Sequence, residues 1–169
     1  LFRSHSGGQL AGPAFTVRTR PGDNLMIHKA FDIAESGDVI VVDAGGDCTN
    51  SLVGELMLSH AKKRGIAGVV INGAVRDYGW IKSHDYPVFA AGVSHRGPYK
   101  DGPGEINTRL AIGGMVIEPG DLIVVAGRPS MGKTTFAINI AENAAIGAKV
   151  STAIFSMERS EEHTSELQS

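Results

Sequence analysis

Unbroken apolar runs recur in the first half of the chain, and they predict strands buried on both faces. Such runs occupy residues 39–42, 67–71 and 88–91, and the alternating pattern of residues 14–17 also predicts a strand. Strands that are covered on both faces are typical of parallel sheets in α/β proteins. The pattern therefore predicts an α/β fold with a mainly parallel sheet.

Two segments between these strands have the apolar spacing of amphipathic helices. Residues 25–34 carry apolar side chains that fit one broad helical face. Residues 51–64 form a second predicted helix, for which Thr49, Asn50 or Ser51 is the expected N-cap. A strand, a helix and a strand in this order predict a right-handed βαβ unit.

The second half of the chain continues the alternation of strands and helices. The pattern predicts a short helix at residues 78–83 and strands at residues 112–117 and 122–125. A further unit follows, with a helix over residues 134–145 and a strand over residues 149–155. The tail from Arg159 to Ser169 is polar without an apolar period, so we expect it to be disordered.

Composition narrows the class of protein. The 169 residues include 42% hydrophobic and 20% charged residues, which is close to globular averages. The net charge of −2 argues against a general binder of nucleic acid or of membrane surfaces. The single cysteine, Cys48, excludes an internal disulfide and is typical of a reducing compartment. The sequence also shows no signal peptide and no apolar run long enough to span a bilayer. Together these features predict a cytoplasmic protein. The chain begins at Leu1 without an initiator methionine, so we expect a preceding segment.

Candidate chemistry lies where two successive strands end. Four residues form a glycine-led run near the predicted helix start: Gly54, Glu55, Leu56 and Met57. Arg76 and Asp77 follow the next strand, with Arg76 22 positions after Gly54. Such strand ends are where α/β proteins build sites for small anions and metal ions. An Arg-Asp pair alone is commonly a solvated surface pair, and Glu55 alone is commonly an exposed helix residue.

Residues 1–125 resemble the RraA-like family, and within it the 4-hydroxy-4-methyl-2-oxoglutarate (4-carboxy-4-hydroxy-2-oxoadipate) aldolases. The matching stretches are residues 12–17, 23–24, 37–43, 54–57, 68–77, 87–90 and 113–114. The resemblance implies a swivelling α/β/α sandwich, here truncated at both ends. It also implies that the parent protein is a homotrimer or hexamer whose active site lies between subunits.

The resemblance implies a metal-dependent class II aldolase that cleaves a 4-hydroxy-2-oxo diacid to pyruvate, with oxaloacetate decarboxylation as a further activity. Asp77 would hold a divalent ion, Mg²⁺ or Mn²⁺, with water in most other positions. Arg76 would bind the substrate carboxylate through its planar fork. Backbone N–H groups of Gly54, Glu55, Leu56 and Met57 would bind carboxylate oxygens, and Glu55 would hold a water and relay a proton.

A second interpretation exists within the same family. Some RraA-like proteins are similar in sequence but act as non-catalytic regulators of a ribonuclease. Those proteins lack the acid after the arginine, and this chain has Asp77 at that position. The aspartate favours the enzyme.

A second motif, G-x-x-x-x-G-K-T, spans residues 127–134. Its Gly127 and Gly132 would shape a phosphate-binding loop, Lys133 would reach the β and γ phosphates of ATP, and Thr134 would hold Mg²⁺. The motif follows a predicted strand and precedes a predicted helix, which is the context it requires.

Residues 119–158 resemble the ATPase core of DnaB-type replicative helicases, through residues 119–135, 139–143 and 155–158. The rest of that domain is absent, so we expect ATP binding only if this fragment is functional, and no turnover. Residues 159–169 resemble a sequencing adapter read in frame. We therefore expect three parts: an aldolase domain (1–125), a grafted strand–P-loop–helix–strand helicase fragment (126–158) and an artefact-like tail. Such a chimera should be less stable and less active than its parent.

Overall fold

The computed structural model describes residues 3–4, 10–126 and 152–156 of the chain. Strands and short helices alternate along it. In chain order they are β1 (Arg3–Ser4), β2 (Leu10–Thr19), α1 (Leu25–Ile33), β3 (Val39–Asp43), β4 (Ser51–Val53), α2 (Glu55–Lys63), β5 (Gly68–Val75), α3 (Tyr78–Ser83), β6 (Val88–Val93), β7 (Gly104–Ile106), β8 (Leu110–Ile112), β9 (Met115–Ile117), β10 (Leu122–Ala126) and β11 (Thr152–Ser156).

The described strands form one large mixed sheet and one separate hairpin. The sheet runs in the order β1-β6-β5-β3-β2-β10-β11, with β4 paired to β5 and β7 paired to β2. Strands β2, β3, β5 and β6 are mutually parallel, whereas β1, β7 and β10 join antiparallel. The prediction of a mainly parallel α/β core is confirmed, and all four central strands are longer than the apolar runs that predicted them.

Strand β3 explains why these runs are continuous. Ile40 and Val42 face a core shared with α1 and α2, whereas Val39 and Val41 face a second core on the other side of the sheet. All four side chains are fully buried. An alternating polar residue would leave an unpaired group in one of the two cores, so neither face tolerates one.

The second face is covered by a hairpin, which corrects one prediction. Residues 112–117 were expected to form a single strand, but β8 and β9 pair antiparallel across a turn at Gly113 and Gly114. Both glycines have positive φ, 59° and 83°, a region that side chains disfavour. Leu110, Ile112 and Ile117 pack from this hairpin onto the sheet. Within the described ranges this hairpin, and no helix, covers the face where the α/β/α expectation placed a second helical layer.

The predicted helix over residues 51–64 begins later than expected. Residues Ser51–Val53 form β4, which pairs with β5, and α2 starts at Glu55 with Gly54 as its N-cap. The expected caps Thr49, Asn50 and Ser51 therefore do not cap it. Tertiary pairing with β5 overrides the local helical pattern here.

A buried carboxylate ties the loop after β2 to the loop between β6 and β7. The Asp23 side chain is fully buried. Its Oδ1 accepts a hydrogen bond from the Leu25 amide, and its Oδ2 accepts bonds from the Asp101 and Gly102 amides and from Arg20. Burial alone would raise the pKa of Asp23, but these hydrogen bonds outweigh burial and hold the pKa below its ordinary value.

Replacing this carboxylate should destabilise the fold in a pH-dependent way. We expect Asp23→Asn to lower the free energy of unfolding by about 1–3 kcal/mol at neutral pH, because the new amide group cannot accept all four bonds. The lowered pKa in the folded state makes the carboxylate stabilising above the unfolded-state pKa of about 3.9. This contribution is lost as the pH falls through the folded-state pKa, so the variant and the original chain should converge in acid.

Chemical denaturation of both proteins across the acidic range measures this difference. The exposed Asp85→Asn substitution serves as the control, because no hydrogen bond of Asp85 holds a loop in the described residues. An equal difference at all pH values would contradict the assigned role of Asp23.

The strands on either side of the P-loop motif lie side by side. Strand β11 pairs parallel with β10, in register from Leu122 with Thr152 to Ala126 with Ser156. Within the described residues, the strand predicted at residues 149–155 is confirmed as β11, which ends one residue later, at Ser156. Gly127, Gly132, Lys133 and Thr134, the predicted helix over residues 134–145 and the tail lie outside the described residues.

No helix in the described part of the chain has the length and apolar character needed to cross a lipid bilayer.

Candidate functional site

Short strand β4 places the start of α2 beside the end of β5. The Arg76 amide donates a hydrogen bond to the Val53 carbonyl (2.9 Å), which extends this pairing by one residue. On the other side, Asn24 donates from Nδ2 to the Leu52 carbonyl (2.8 Å) and so ties β4 to the start of α1. The α2 N-terminus is thereby held against the residues that follow β5.

Asp77 adopts a backbone conformation that is rare for residues with a side chain. Its φ and ψ are 56° and 44°, in the left-handed region, where aspartate and asparagine are better tolerated than most residues. The conformation turns the chain sharply from β5 into α3 and brings the carboxylate towards α2. There, Oδ2 accepts a hydrogen bond from the Glu55 amide (2.8 Å). Strained residues of this kind are concentrated at functional sites.

Position 54 requires glycine because the Asp77 and Arg76 side chains lie too close for a Cβ, and not because of its backbone angles. Its φ of −147° and ψ of −167° are open to any residue. A Cβ at this position would overlap Asp77 Oδ2 and would lie 2.8 Å from Arg76 Cγ and 2.9 Å from Arg76 Nε. The absence of a side chain at Gly54 therefore allows both functional side chains to lie over the helix start.

Arg76 and Asp77 share one side of the site. Arg76 Nε lies 3.8 Å from Asp77 Oδ2, and both side chains are about two-fifths exposed. An exposed pair at this distance contributes little to stability. Both groups thus face solvent with capacity to bind a ligand.

These residues line an open pocket of about 550 Å³. Its walls come from the first turn of α2, the β5–α3 turn and the end of β6. The residues that bear on its chemistry are Glu55, Leu56, Arg76, Asp77, Ser94 and His95. The volume suits a small ligand of several carbon atoms.

The structure brings most of the predicted site residues together. Glu55, Leu56, Arg76 and Asp77 line the pocket, and Gly54 lies beneath the last two. The Met57 side chain is turned away, towards Asn24 Nδ2 (3.4 Å), so only its backbone remains available. The Glu55 amide already donates to Asp77, which leaves the amides of Leu56 and Met57 among the first-turn donors that α2 itself does not use.

The donor set suits a hard ion that keeps much of its water. No group of three or more His, Cys, Asp or Glu side chains in the described residues could hold a metal ion. Asp77 offers one carboxylate oxygen, Oδ1, that has no hydrogen bond within the described part of the chain, and Glu55 lies beside it. Mg²⁺ is commonly held by one or two carboxylates with water and substrate oxygens completing six positions, whereas a structural zinc site needs four protein ligands. Asp77 therefore fits Mg²⁺ and not structural zinc.

Three residues that line the pocket were not predicted as site residues from the sequence. Val93 ends β6, and Ser94 and His95 follow it; because β6 pairs parallel with β5, the position of all three at the same edge follows from the sheet order. Tyr78, at the start of α3, also lines the pocket. The available signal was the end of the third apolar run, which no recognisable motif marks.

Comparison with known families gives two matches of unequal extent. The model of the RraA-like family, described as Aldolase/RraA, matches residues 2–126. The model of the DnaB-like helicase C terminal domain matches residues 110–167, well under half of the chain. The two matches overlap between residues 110 and 126, across the hairpin and β10.

A relative from Halalkalibacterium halodurans carries the provisional name 4-hydroxy-4-methyl-2-oxoglutarate aldolase. It is 47% identical over 116 residues, which cover 69% of this chain and 55% of that protein. The chain thus spans little more than half the length of this curated relative.

Two solved structures share the fold. The RNA-processing inhibitor RraA from Thermus thermophilus is 31% identical, with a TM-score of 0.69 over 73% of this chain and 75% of that one. The S-adenosylmethionine:2-dimethylmenaquinone methyltransferase from Geobacillus kaustophilus is 33% identical, with a TM-score of 0.70 over 73% and 77%. These proteins bear different functional names on one fold, so the fold alone does not decide the activity. Because the RraA-like family model matches most of this chain, residues 2–126, the chain belongs to the RraA-like family.

Proposed function

We propose that the pocket binds a 2-oxo acid together with Mg²⁺ and cleaves a 4-hydroxy-2-oxo diacid, such as 4-hydroxy-4-methyl-2-oxoglutarate, to pyruvate and a second oxo acid. The observation that carries this proposal is the Asp77 carboxylate, held by the Glu55 amide at the start of α2 beside the Arg76 guanidinium. One carboxylate, one guanidinium and a helix N-terminus then converge on one small pocket.

The carboxylate next to the keto group would be bound by two kinds of donor. The Arg76 guanidinium offers a planar fork that matches carboxylate geometry. The Leu56 and Met57 amides point from the helix N-terminus, where the partial positive charge favours anions. Both would orient the keto acid with its reacting carbons towards Glu55.

Asp77 would hold the Mg²⁺ ion through its free oxygen. The left-handed turn and the Glu55 amide fix the direction of this carboxylate before any ligand binds. Bound Mg²⁺ supplies Lewis-acid stabilisation for the negative charge that develops on the keto side during cleavage.

The Glu55 carboxylate would move the proton. In the cleavage the bond between C3 and C4 breaks, and the 4-hydroxyl loses its proton as it becomes the carbonyl of the second oxo acid. The electron pair remains with C3, which takes up a proton and becomes the methyl group of pyruvate. Glu55 lines the pocket and is exposed, so it can accept the hydroxyl proton and return it at C3.

The test is pyruvate release by the purified chain, followed with a coupled lactate dehydrogenase assay. We expect release from 4-hydroxy-4-methyl-2-oxoglutarate with Mg²⁺, a loss of at least about tenfold in EDTA, and recovery when Mg²⁺ or Mn²⁺ is restored. Release that is unaffected by EDTA would contradict the metal site. No release with any 4-hydroxy-2-oxo diacid, at any metal concentration, would contradict the lyase.

A second candidate function is regulation of a ribonuclease without catalysis. The likeness to the Thermus thermophilus protein named as an RNA-processing inhibitor favours it. Inhibition of ribonuclease activity by the Asp77→Asn variant, in the absence of pyruvate release by the original chain, would support this candidate against the lyase.

A further inference from the structure

The pocket wall that follows β6 carries an imidazole with no partner in the described part of the chain. His95 follows β6, lines the pocket and is exposed. Among the described residues it has no hydrogen bond or ion pair. It therefore faces the ligand space with both ring nitrogens available.

The backbone around His95 is held in place on both sides. Ser94 donates from its amide to the Val75 carbonyl (2.9 Å) and from its hydroxyl to the Thr49 carbonyl (2.8 Å). Ser51 donates from both its amide (2.9 Å) and its hydroxyl (2.7 Å) to the Arg96 carbonyl. His95 thus lies on a segment attached to β4 and β5, the strands that Gly54 and Arg76 directly follow, and is positioned before a ligand arrives.

The pocket needs a second hydrogen-bond donor if it is to bind a diacid. Arg76 is the only arginine or lysine among the lining residues, and Glu55 and Asp77 both carry carboxylates. A 2-oxo diacid brings two carboxylates, and Arg76 with the α2 amides accounts for one. The Ser94 hydroxyl already donates to Thr49. His95 is then the lining side chain with an uncommitted N–H for the second carboxylate.

The guanidinium end of Arg76 lies close to the segment that carries His95. A Cβ on Gly97 would lie 3.7 Å from Arg76 Nη1, so the guanidinium reaches the same segment that carries His95, two residues away. A short diacid can extend from the Arg76 side of the pocket to the end of β6.

We propose that His95 binds the second, distal carboxylate of the diacid and so sets the preference for diacids over monoacids. This inference rests on the proposed function, because it assigns the remote half of the same substrate. His95 is a binding and specificity residue, and its N–H group donates to a carboxylate oxygen of the part that leaves as the second oxo acid.

The test compares two ligands that share the keto acid end and differ at the distal end. Pyruvate lacks the second carboxylate, and 2-oxoglutarate has it. Isothermal titration of the full chain in Mg²⁺ gives Kd for both, with no turnover required. We expect His95→Ala to raise Kd for 2-oxoglutarate about tenfold, as loss of a hydrogen bond to a charged group does, and to change Kd for pyruvate less than about twofold. His95→Gln, which keeps an N–H donor, should recover part of the loss.

The matched control is His84→Ala, an exposed histidine at the end of α3 whose ring stacks on Trp80 and which does not line the pocket. It should change neither Kd. If His95→Ala weakens both ligands equally, or weakens neither, the role of His95 is wrong while the proposed function stands. If the original chain binds neither ligand in Mg²⁺, both proposals are wrong.

Discussion

Replacing Asp77 with asparagine should reduce Mg²⁺-dependent pyruvate release about a hundredfold or more, without unfolding the protein. Asparagine tolerates the left-handed backbone at φ 56° and keeps an oxygen that can accept the Glu55 amide, so the turn should survive. It removes the one negative charge that would bind the ion directly. The loss of a metal contribution of several kcal/mol corresponds to at least this factor in kcat/KM.

Two comparisons make this result specific. Asp85→Asn removes a carboxylate from an exposed position beyond α3 and should leave kcat/KM unchanged. Thermal unfolding of Asp77→Asn should match that of the original chain within a few degrees. If Asp77→Asn keeps full activity, Asp77 does not bind the ion. If its melting temperature falls sharply, the role of Asp77 is structural instead.

Adding one methyl group at Gly54 should separate activity from stability. The Cβ of Gly54→Ala would enter the space of Asp77 Oδ2 and of the Arg76 side chain. Both are movable side chains and the backbone angles are ordinary, so relief by displacement should cost only about 1–2 kcal/mol of folding stability. The displaced carboxylate and guanidinium would no longer hold the ligand in a reactive position, and an error of about 1 Å can cost on the order of a hundredfold in rate.

Gly79→Ala is the matched control for this substitution. Gly79 lies in α3, and a Cβ there would meet nothing within 4 Å. Because alanine is favoured over glycine inside helices, this variant should be as stable as the original chain or more so, with unchanged kcat/KM. Steady-state kinetics and urea denaturation of both variants measure the two effects. Equal kcat/KM for Gly54→Ala and the original chain would show that the close approach over the helix start has no functional role.

The central strands follow from the sequence because their environment is simple. Residues 39–42 are apolar on both faces because a core packs against each face of the strand. Burial on both faces gives an unbroken apolar run, which can be identified in the sequence. Strand β4 was missed because its three residues gain their structure from pairing with β5. The local sequence of residues 51–64 favours a helix throughout, and only the tertiary partner decides otherwise.

The sequence predicts candidate site residues but not their geometry. Strand ends and the family resemblance single out Gly54, Arg76 and Asp77, and the structure places Arg76 and Asp77 in one pocket with Gly54 beneath them. Their roles stay a prediction. The hydrogen bond from the Glu55 amide to Asp77 depends on the left-handed turn, which no residue pattern records. His95 reaches the pocket only through the parallel pairing of β5 and β6, so its part in the site depends on topology.

The P-loop interpretation stays a prediction. The helicase-like match extends from residue 110 to residue 167, and the described residues within it include β8, β9, β10 and β11. The parallel pairing of β10 with β11 agrees with the strand–loop–helix–strand order expected there. ATP binding by Lys133 and Thr134, and the origin of the last eleven residues, await direct tests.

The most direct test of the central claim is where a divalent ion sits when a keto acid is present. Mn²⁺ can stand in for Mg²⁺ and broadens the NMR signals of nearby amides, so titration of ¹⁵N-labelled chain with Mn²⁺ and pyruvate locates the ion. We predict that the amides of Glu55, Leu56 and Asp77 broaden first in the original chain and do not in Asp77→Asn. Broadening that is centred elsewhere, or that is the same in both proteins, would contradict the account.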